Sequence, residues 1–360
     1  MNRIKYLDSL RGLAAFSVVI YHILNAHWGW TFFVKMSHFI FNGSDAVSLF
    51  FVLSGLVLSF KYVHGTEGVP NIDYKQYVVA RFFRLYPVYL VVIGILYVYL
   101  HRDSFPSMVF ITDIFKNNHH LVEQVLLVRG WLETICTPAW TLAVEIVVSL
   151  LVPMFIITLR SNKALFYGLI PLVIFANKNY LCIFIVQFLL GIILAENFTK
   201  ISTTRTGKIY QYRYLLLFIS CILFSWRPLL IFFPLPDYLA SISNNILYLD
   251  TFLITGIGAF GIIAFIIHSE FVQKILSVKP LLFLGKISYS IYLSHWIFTT
   301  IFMDKWEPIL NRIGEGKMIY CMSLFVIVGT LLFSTFLYYV VEKPFIHFGK
   351  KVAARIGKTE

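Results

Sequence analysis

The chain has 360 residues, of which 59% are hydrophobic and only 13% charged, with a mean hydropathy of +0.78. An ordinary soluble domain carries about a quarter charged residues, so this composition excludes a water-soluble fold. The formal net charge of +12 would suit nucleic acid. However, Lys and Arg lie between apolar segments and form no single basic patch, so membrane topology accounts for them and no nucleic-acid partner is expected.

Apolar stretches of about 17 to 25 residues recur along the chain, each long enough to cross a hydrocarbon core of about 30 Å as a helix. They predict an all-α integral membrane protein of about ten transmembrane helices, near 8–27, 44–63, 83–101, 139–159, 164–177, 180–197, 213–228, 248–268, 285–303 and 318–341. An even number puts both termini on one side. That side receives about 21 of the 30 Lys and Arg and the other about 9, which predicts cytoplasmic termini.

The first segment follows Arg3 and Lys5 like a signal peptide, but Arg11, Tyr21, His22 and Asn25 interrupt it and no small-x-small cleavage site ends it, so it reads as a retained helix. The longest connection, about 102–138, carries His119, His120 and Trp131 and suits either a lid or a plain solvated loop. The transmembrane domain is expected over 1–345, with 346–360 a short basic cytoplasmic tail. Cys136, Cys182, Cys221 and Cys321 show neither a CxxC pair nor zinc-ligand spacing. They read as packing residues, with a Cys136–Cys182 disulfide as the alternative. No metal site is expected.

Ionisable groups inside a bilayer are costly and therefore mark candidate functional positions. His22 follows Arg11 by eleven positions, about three turns plus 20° and a rise of about 16 Å, so the two share one helix face that can line a shaft. Asp8 is placed to pair with Arg11. The plainer alternatives are a snorkelling anchor for Arg11 and a buried, hydrogen-bonded imidazole for His22. In ARFFRLYP, Arg81 and Arg84 lie one turn apart at the expected cytoplasmic entrance of a helix. They form either a clamp for the phosphates of a nucleotide-bearing substrate or a positive-inside anchor, with anionic lipid also suitable.

In TPAWTLAVE, Glu145 lies about two turns into an apolar run. It can steady an imidazolium at His22, bind an acceptor hydroxyl, or stay protonated. In FLGKISYSIYLSHW, Tyr292 and His295 sit one turn apart; they and Trp140 are candidates for holding a sugar, the alternative being interhelical polar contacts. Asp45 and Ser48 before LFFVLSG read as close helix packing.

Together, LDSLRG through Arg11 to His22, SLFFVLSG, RFFRLYP, PAWTLAVE, GKISYSIYLSHW and VEKPF around Glu342 closely resemble the acyltransferase family 3 membrane proteins, O-acyltransferases of bacterial surface glycans. The resemblance implies that His22 is the family's essential histidine with Arg11 as partner. It assigns Arg81 and Arg84 to acyl-CoA use, and Glu145 to the acidic position after the tryptophan. Many members carry Asp immediately before LFF, where this chain has Ser48 and places Asp45 three residues earlier. Many also carry a fused esterase-like domain, and none is seen here, so the membrane domain is expected to finish the reaction itself or with a partner.

The implied activity is transfer of an acyl group, acetyl by default, from cytoplasmic acetyl-CoA or another acyl-CoA to a glycan or lipid-linked glycan hydroxyl. Lipopolysaccharide O-antigen and capsule are the implied acceptors, and the bacterial inner membrane the implied location. No permanently bound cofactor is implied. His22 would serve as general base, and the same residues also suit a brief acyl-enzyme. A transporter or flippase of a lipid-linked sugar is the alternative, and internal inverted repeats, which would favour it, are not seen. A ligand-binding sensor would leave the arginine pair as an anchor only.

Overall fold

The computed structural model describes residues 4–27, 32–65, 68–102, 124–127, 135–175, 180–233, 247–305 and 315–356. His119, His120 and Trp131 lie outside the described residues. In chain order the helices are α1 (Lys5–His27), α2 (Phe32–Ser37), α3 (Gly43–His64), α4 (Tyr74–Leu100), α5 (Ala139–Ser161), α6 (Lys163–Phe175), α7 (Tyr180–Glu196), α8 (Phe198–Thr203) and α9 (Gly207–Gln211). Then follow α10 (Arg213–Phe224), α11 (Trp226–Phe232), α12 (Leu247–His268), α13 (Glu270–Leu276), α14 (Lys279–Lys286), α15 (Ser288–Asp304), α16 (Glu315–Leu337), a π-helical turn (Tyr338–Glu342) and α17 (Lys343–Ile356). No strand occurs among the described residues.

All ten apolar segments fold as helices, but not all are alike. Six are long and apolar enough to cross a membrane, and a seventh is added if α10 and α11, bent by 64°, make one span. The other three are shorter: α6 has 13 residues, α7 has 17 and α15 has 17. At 1.5 Å per residue, α6 reaches about 20 Å, well short of a hydrocarbon core. By length and composition, six or seven of the ten expected spans are therefore shown among the described residues.

Two boundaries also differ from expectation. The side chain of Asp73 accepts from the Gln76 backbone N–H at 3.0 Å and caps α4, so this helix starts at Tyr74 and not near 83. Arg81 and Arg84 are thus two to three turns inside it and not at its entrance. The residues after 345, expected as a tail, continue as α17, which is helical to Ile356. Its Phe348 ring meets Phe83 of α4 edge-on at 5.3 Å.

The chain divides into two helical units, residues 1–72 with 147–286 and residues 73–146 with 287–360. In the first, α1 packs on α3 and α14, α3 on α7 and α12, and α10 on α12. Small residues let these helices meet at the backbone, as membrane packing favours. A Cβ on Gly55 of α3 would strike the Phe188 carbonyl, and one on Gly191 of α7 would strike the Val52 carbonyl. In the second unit, α4 packs on α17 and α15, and α15 on α16. Its core gathers Leu85, Val88, Tyr89, Val92 and Leu96 of α4 with Leu142, Leu293 and Leu337.

Candidate functional site

In the first unit, α1 is helical throughout, so Arg11 and His22 lie on one face as their spacing requires. The Arg11 guanidinium approaches the Ser54 hydroxyl of α3 at 3.4 Å, which brings LDSLRG against SLFFVLSG. His22 is half-buried and meets the Tyr21 ring edge-on at 5.5 Å. Tyr21 in turn meets His38 at 5.3 Å, and a ring nitrogen of His38 lies 3.2 Å from Asn25 Oδ1. His38 is buried and was missed in the sequence because it stands outside every motif.

A second feature of this unit was also missed. Asp45 has no exposed side-chain surface, and its Oδ1 lies 3.2 Å from Arg227 Nε of α11; the Asn42 side chain donates to its other oxygen. The Arg227 guanidinium lies 3.9 Å over the Phe252 ring. Beside them Ser48 bonds Thr255 at 3.0 Å and accepts from Gln187 at 3.1 Å. An arginine within the apolar stretch of α10 and α11 requires a buried partner, and that requirement was the available signal.

The second unit holds the other candidates. Arg81 and Glu145 form an ion pair at 2.9 Å with side chains 10% and 24% exposed, so within its own unit Glu145 is joined to Arg81. Arg84 is half-buried one turn further along α4. The charges of Glu145, Glu342, Arg81 and Arg84 all act on Tyr289, whose hydroxyl donates to the Leu85 carbonyl at 2.6 Å. Ser290 donates to Glu342 Oε2 at 2.8 Å, and Glu342 closes the π-helical turn, a distortion frequent at functional sites. Two guanidiniums and two carboxylates are therefore within electrostatic reach of one phenol.

Tyr292 shares a hydrogen bond of 2.7 Å with the Thr141 hydroxyl, while Trp140 is half-buried next to it in sequence. His295 is wholly buried, with Nδ1 at 3.3 Å from the Ile291 carbonyl. Arg11 and His22 thus belong to the first unit, and Arg81, Arg84, Trp140, Glu145, Tyr292 and His295 to the second. Neither Cys136 nor Cys182 is joined in a disulfide, and burial pushes the Cys136 thiol up to about 12. Among the described residues no three His, Cys, Asp or Glu side chains gather as a metal site would require.

Comparison with known proteins gives these residues a context. The chain is similar to O-acetyltransferase OatA of Staphylococcus aureus strains NCTC 8325 / PS 47, COL and MRSA252, each 25% identical over 98% of this chain. The chain spans 58% of the length of these curated relatives. No solved structure matches it. Residues 4–341, nearly the whole chain and every motif quoted above as far as Val341, match the model of the acyltransferase domain; the chain belongs to this acyltransferase family.

Proposed function

We propose that this protein is an O-acetyltransferase that moves an acetyl group from cytoplasmic acetyl-CoA to a hydroxyl of a bacterial cell-surface polysaccharide, such as lipopolysaccharide O-antigen or capsule. The observation that carries the reading is the acyltransferase match over 4–341, joined to O-acetyltransferase relatives aligned over 98% of the chain. The proposed setting is the bacterial inner membrane, with ten spans and cytoplasmic termini, the shorter helices α6, α7 and α15 completing the set.

In the proposed reaction His22 takes the proton of the acceptor hydroxyl. The oxygen attacks the thioester carbonyl, a C–O bond forms, the C–S bond breaks, and coenzyme A leaves as the thiol with the proton returned to it. Arg81 and Arg84 hold the phosphates of the donor. The 2.9 Å pair with Glu145 supports a positioning role for that carboxylate, because a guanidinium held on one edge loses less freedom when it binds an anion on the other. Arg11 orients the helix face that carries His22. Tyr292 and Trp140 serve the acceptor, with His295 behind them in the core.

The test is transfer of radiolabel from acetyl-CoA to membrane glycan by wild type, His22→Ala, and the Arg81→Ala/Arg84→Ala double variant at matched membrane expression. Transfer by wild type, reduced about 10²-fold to 10⁴-fold in His22→Ala, is expected for loss of a positioned base. Equal transfer by all three overturns the residue roles, and transfer by none overturns the donor or the acceptor class.

A further inference from the structure

The first unit contains a cleft of about 250 Å³ lined by two arginines, an imidazole, three aromatic rings, Ser269 and one carboxylate, Glu270, and none of the motifs described above contributes to it. It lies where α8 and α9 lead into α10, beside the C-terminal end of α12. Arg213, at the start of α10, is fixed from three directions: its Nη1 donates to the Tyr210 carbonyl at 2.7 Å, and its guanidinium lies 4.0 Å over the Tyr210 ring and 4.5 Å over Tyr214. Among the described residues no carboxylate pairs with it. The other guanidinium of the cleft, Arg205, is held by the Ser202 carbonyl at 2.8 Å and balanced by Glu270 at 2.9 Å.

His268, the last residue of α12, turns Nδ1 to the Ile201 carbonyl at 3.2 Å and stands edge-on to Tyr210 at 5.5 Å. Tyr214 and Phe265, with ring centres 5.9 Å apart, form the apolar wall. One pre-oriented, unbalanced guanidinium beside an imidazole and a flat apolar wall has the chemistry of a site for a phosphate carried on an organic group. An open cation of this kind, at the start of the apolar helix α10 and beside the end of the long apolar helix α12, is placed where headgroups or dissolved metabolites can reach it.

We propose that this cleft binds a phosphate-bearing ligand, with the phosphate on Arg213 and the adjoining organic part against Tyr214 and Phe265. The same chemistry is offered by the headgroup of an anionic phospholipid and by a soluble organic phosphate such as coenzyme A. The proposal does not rest on the acyltransfer reading, since none of its residues has a role there.

The test uses the full chain in nanodiscs of neutral lipid, in three forms: wild type, Arg213→Gln and Ser269→Asp. Ser269 lines the cleft and caps α13 by accepting from Val272 N–H. Asp preserves such a cap while adding a negative charge, which keeps the test meaningful if Arg213→Gln disturbs packing. Retention of phosphatidylglycerol against phosphatidylcholine is read by native mass spectrometry, and binding of coenzyme A by titration.

Wild type is expected to bind one of the two probes, and both variants to bind it about tenfold more weakly or worse, as loss of a charged hydrogen bond implies. Preference for phosphatidylglycerol identifies a lipid site, and binding of coenzyme A a soluble-ligand site. The proposal is overturned if neither probe binds, or if Arg213→Gln and Ser269→Asp bind as wild type does; coenzyme A bound solely through Arg81 and Arg84 would give the latter result.

Discussion

The two helical units handle charge differently. In the first, the Asp45 carboxylate is fully buried and Asn42 donates to it, while Arg227, laid on Phe252, keeps 17% of its side chain exposed but turns a buried Nε to the carboxylate. In the second, Arg81 and Glu145 keep 10% and 24% of their side chains exposed and share their surroundings with Arg84, Glu342 and Tyr289. A sealed pair that loses one member leaves an uncompensated charge in a low-dielectric interior. A partly open pair can exchange partners with a substrate anion. The first arrangement is therefore suited to holding helices in place, and the second to binding.

The sharpest way to break this contrast begins with packing. Gly191→Leu places a side chain on the Val52 carbonyl, where backbone must move, so the damage exceeds the about 1–3 kcal/mol of ordinary overpacking. No monodisperse protein should elute on size exclusion. Asp45→Ala comes next, with an expected loss of about 3–5 kcal/mol, read as lower resistance to unfolding in detergent. The double variant Asp45→Ala/Arg227→Leu should recover part of it, because no charge is then left alone. If the single variant melts as wild type does, the pair is not structural.

Glu145→Gln should invert that pattern. The amide that replaces the carboxylate can still accept from Arg81, so the stability loss should be smaller than for Asp45→Ala, whereas on the proposed reaction acyl transfer should fall through a higher KM for acetyl-CoA once Arg81 is held less firmly. A large drop in stability with KM unchanged would place Glu145 with Asp45, as a structural carboxylate.

What could be read in the sequence follows from the range of the interactions. Apolar runs act locally, and all ten became helices. The face shared by Arg11 and His22 is a property of helix geometry alone and was equally legible. The start of α4 was hidden because Asp73 caps a charged first turn that hydropathy does not register. The helix after Glu342 was hidden because its residues form an amphipathic face whose partner, Phe83, is some 260 positions away. Long-range pairing also concealed the site: Arg227 lies 182 positions from Asp45 and Glu145 lies 64 from Arg81. No spacing rule connects such residues, and only the packing of the helices shows which carboxylate serves which arginine. The length of α6, α7 and α15 explains why ten apolar segments yielded six or seven long spans.

The smallest effect concerns Cys136, which lies next to the helix that carries Glu145, is fully buried and is not in a disulfide. Its thiol is pushed up to about 12 by burial, against about 8.5 in an unfolded chain. Between those values the unfolded chain releases a proton that the folded one retains, so stability falls as the pH climbs from about 8.5 toward 12. Cys136→Ala should remove this alkaline limb while leaving the melting temperature near neutrality almost unchanged. A maleimide should likewise modify Cys136 only after denaturation, because the attacking species is the thiolate. Rapid labelling of Cys136 in the folded protein would show that this corner of the second unit opens on its own.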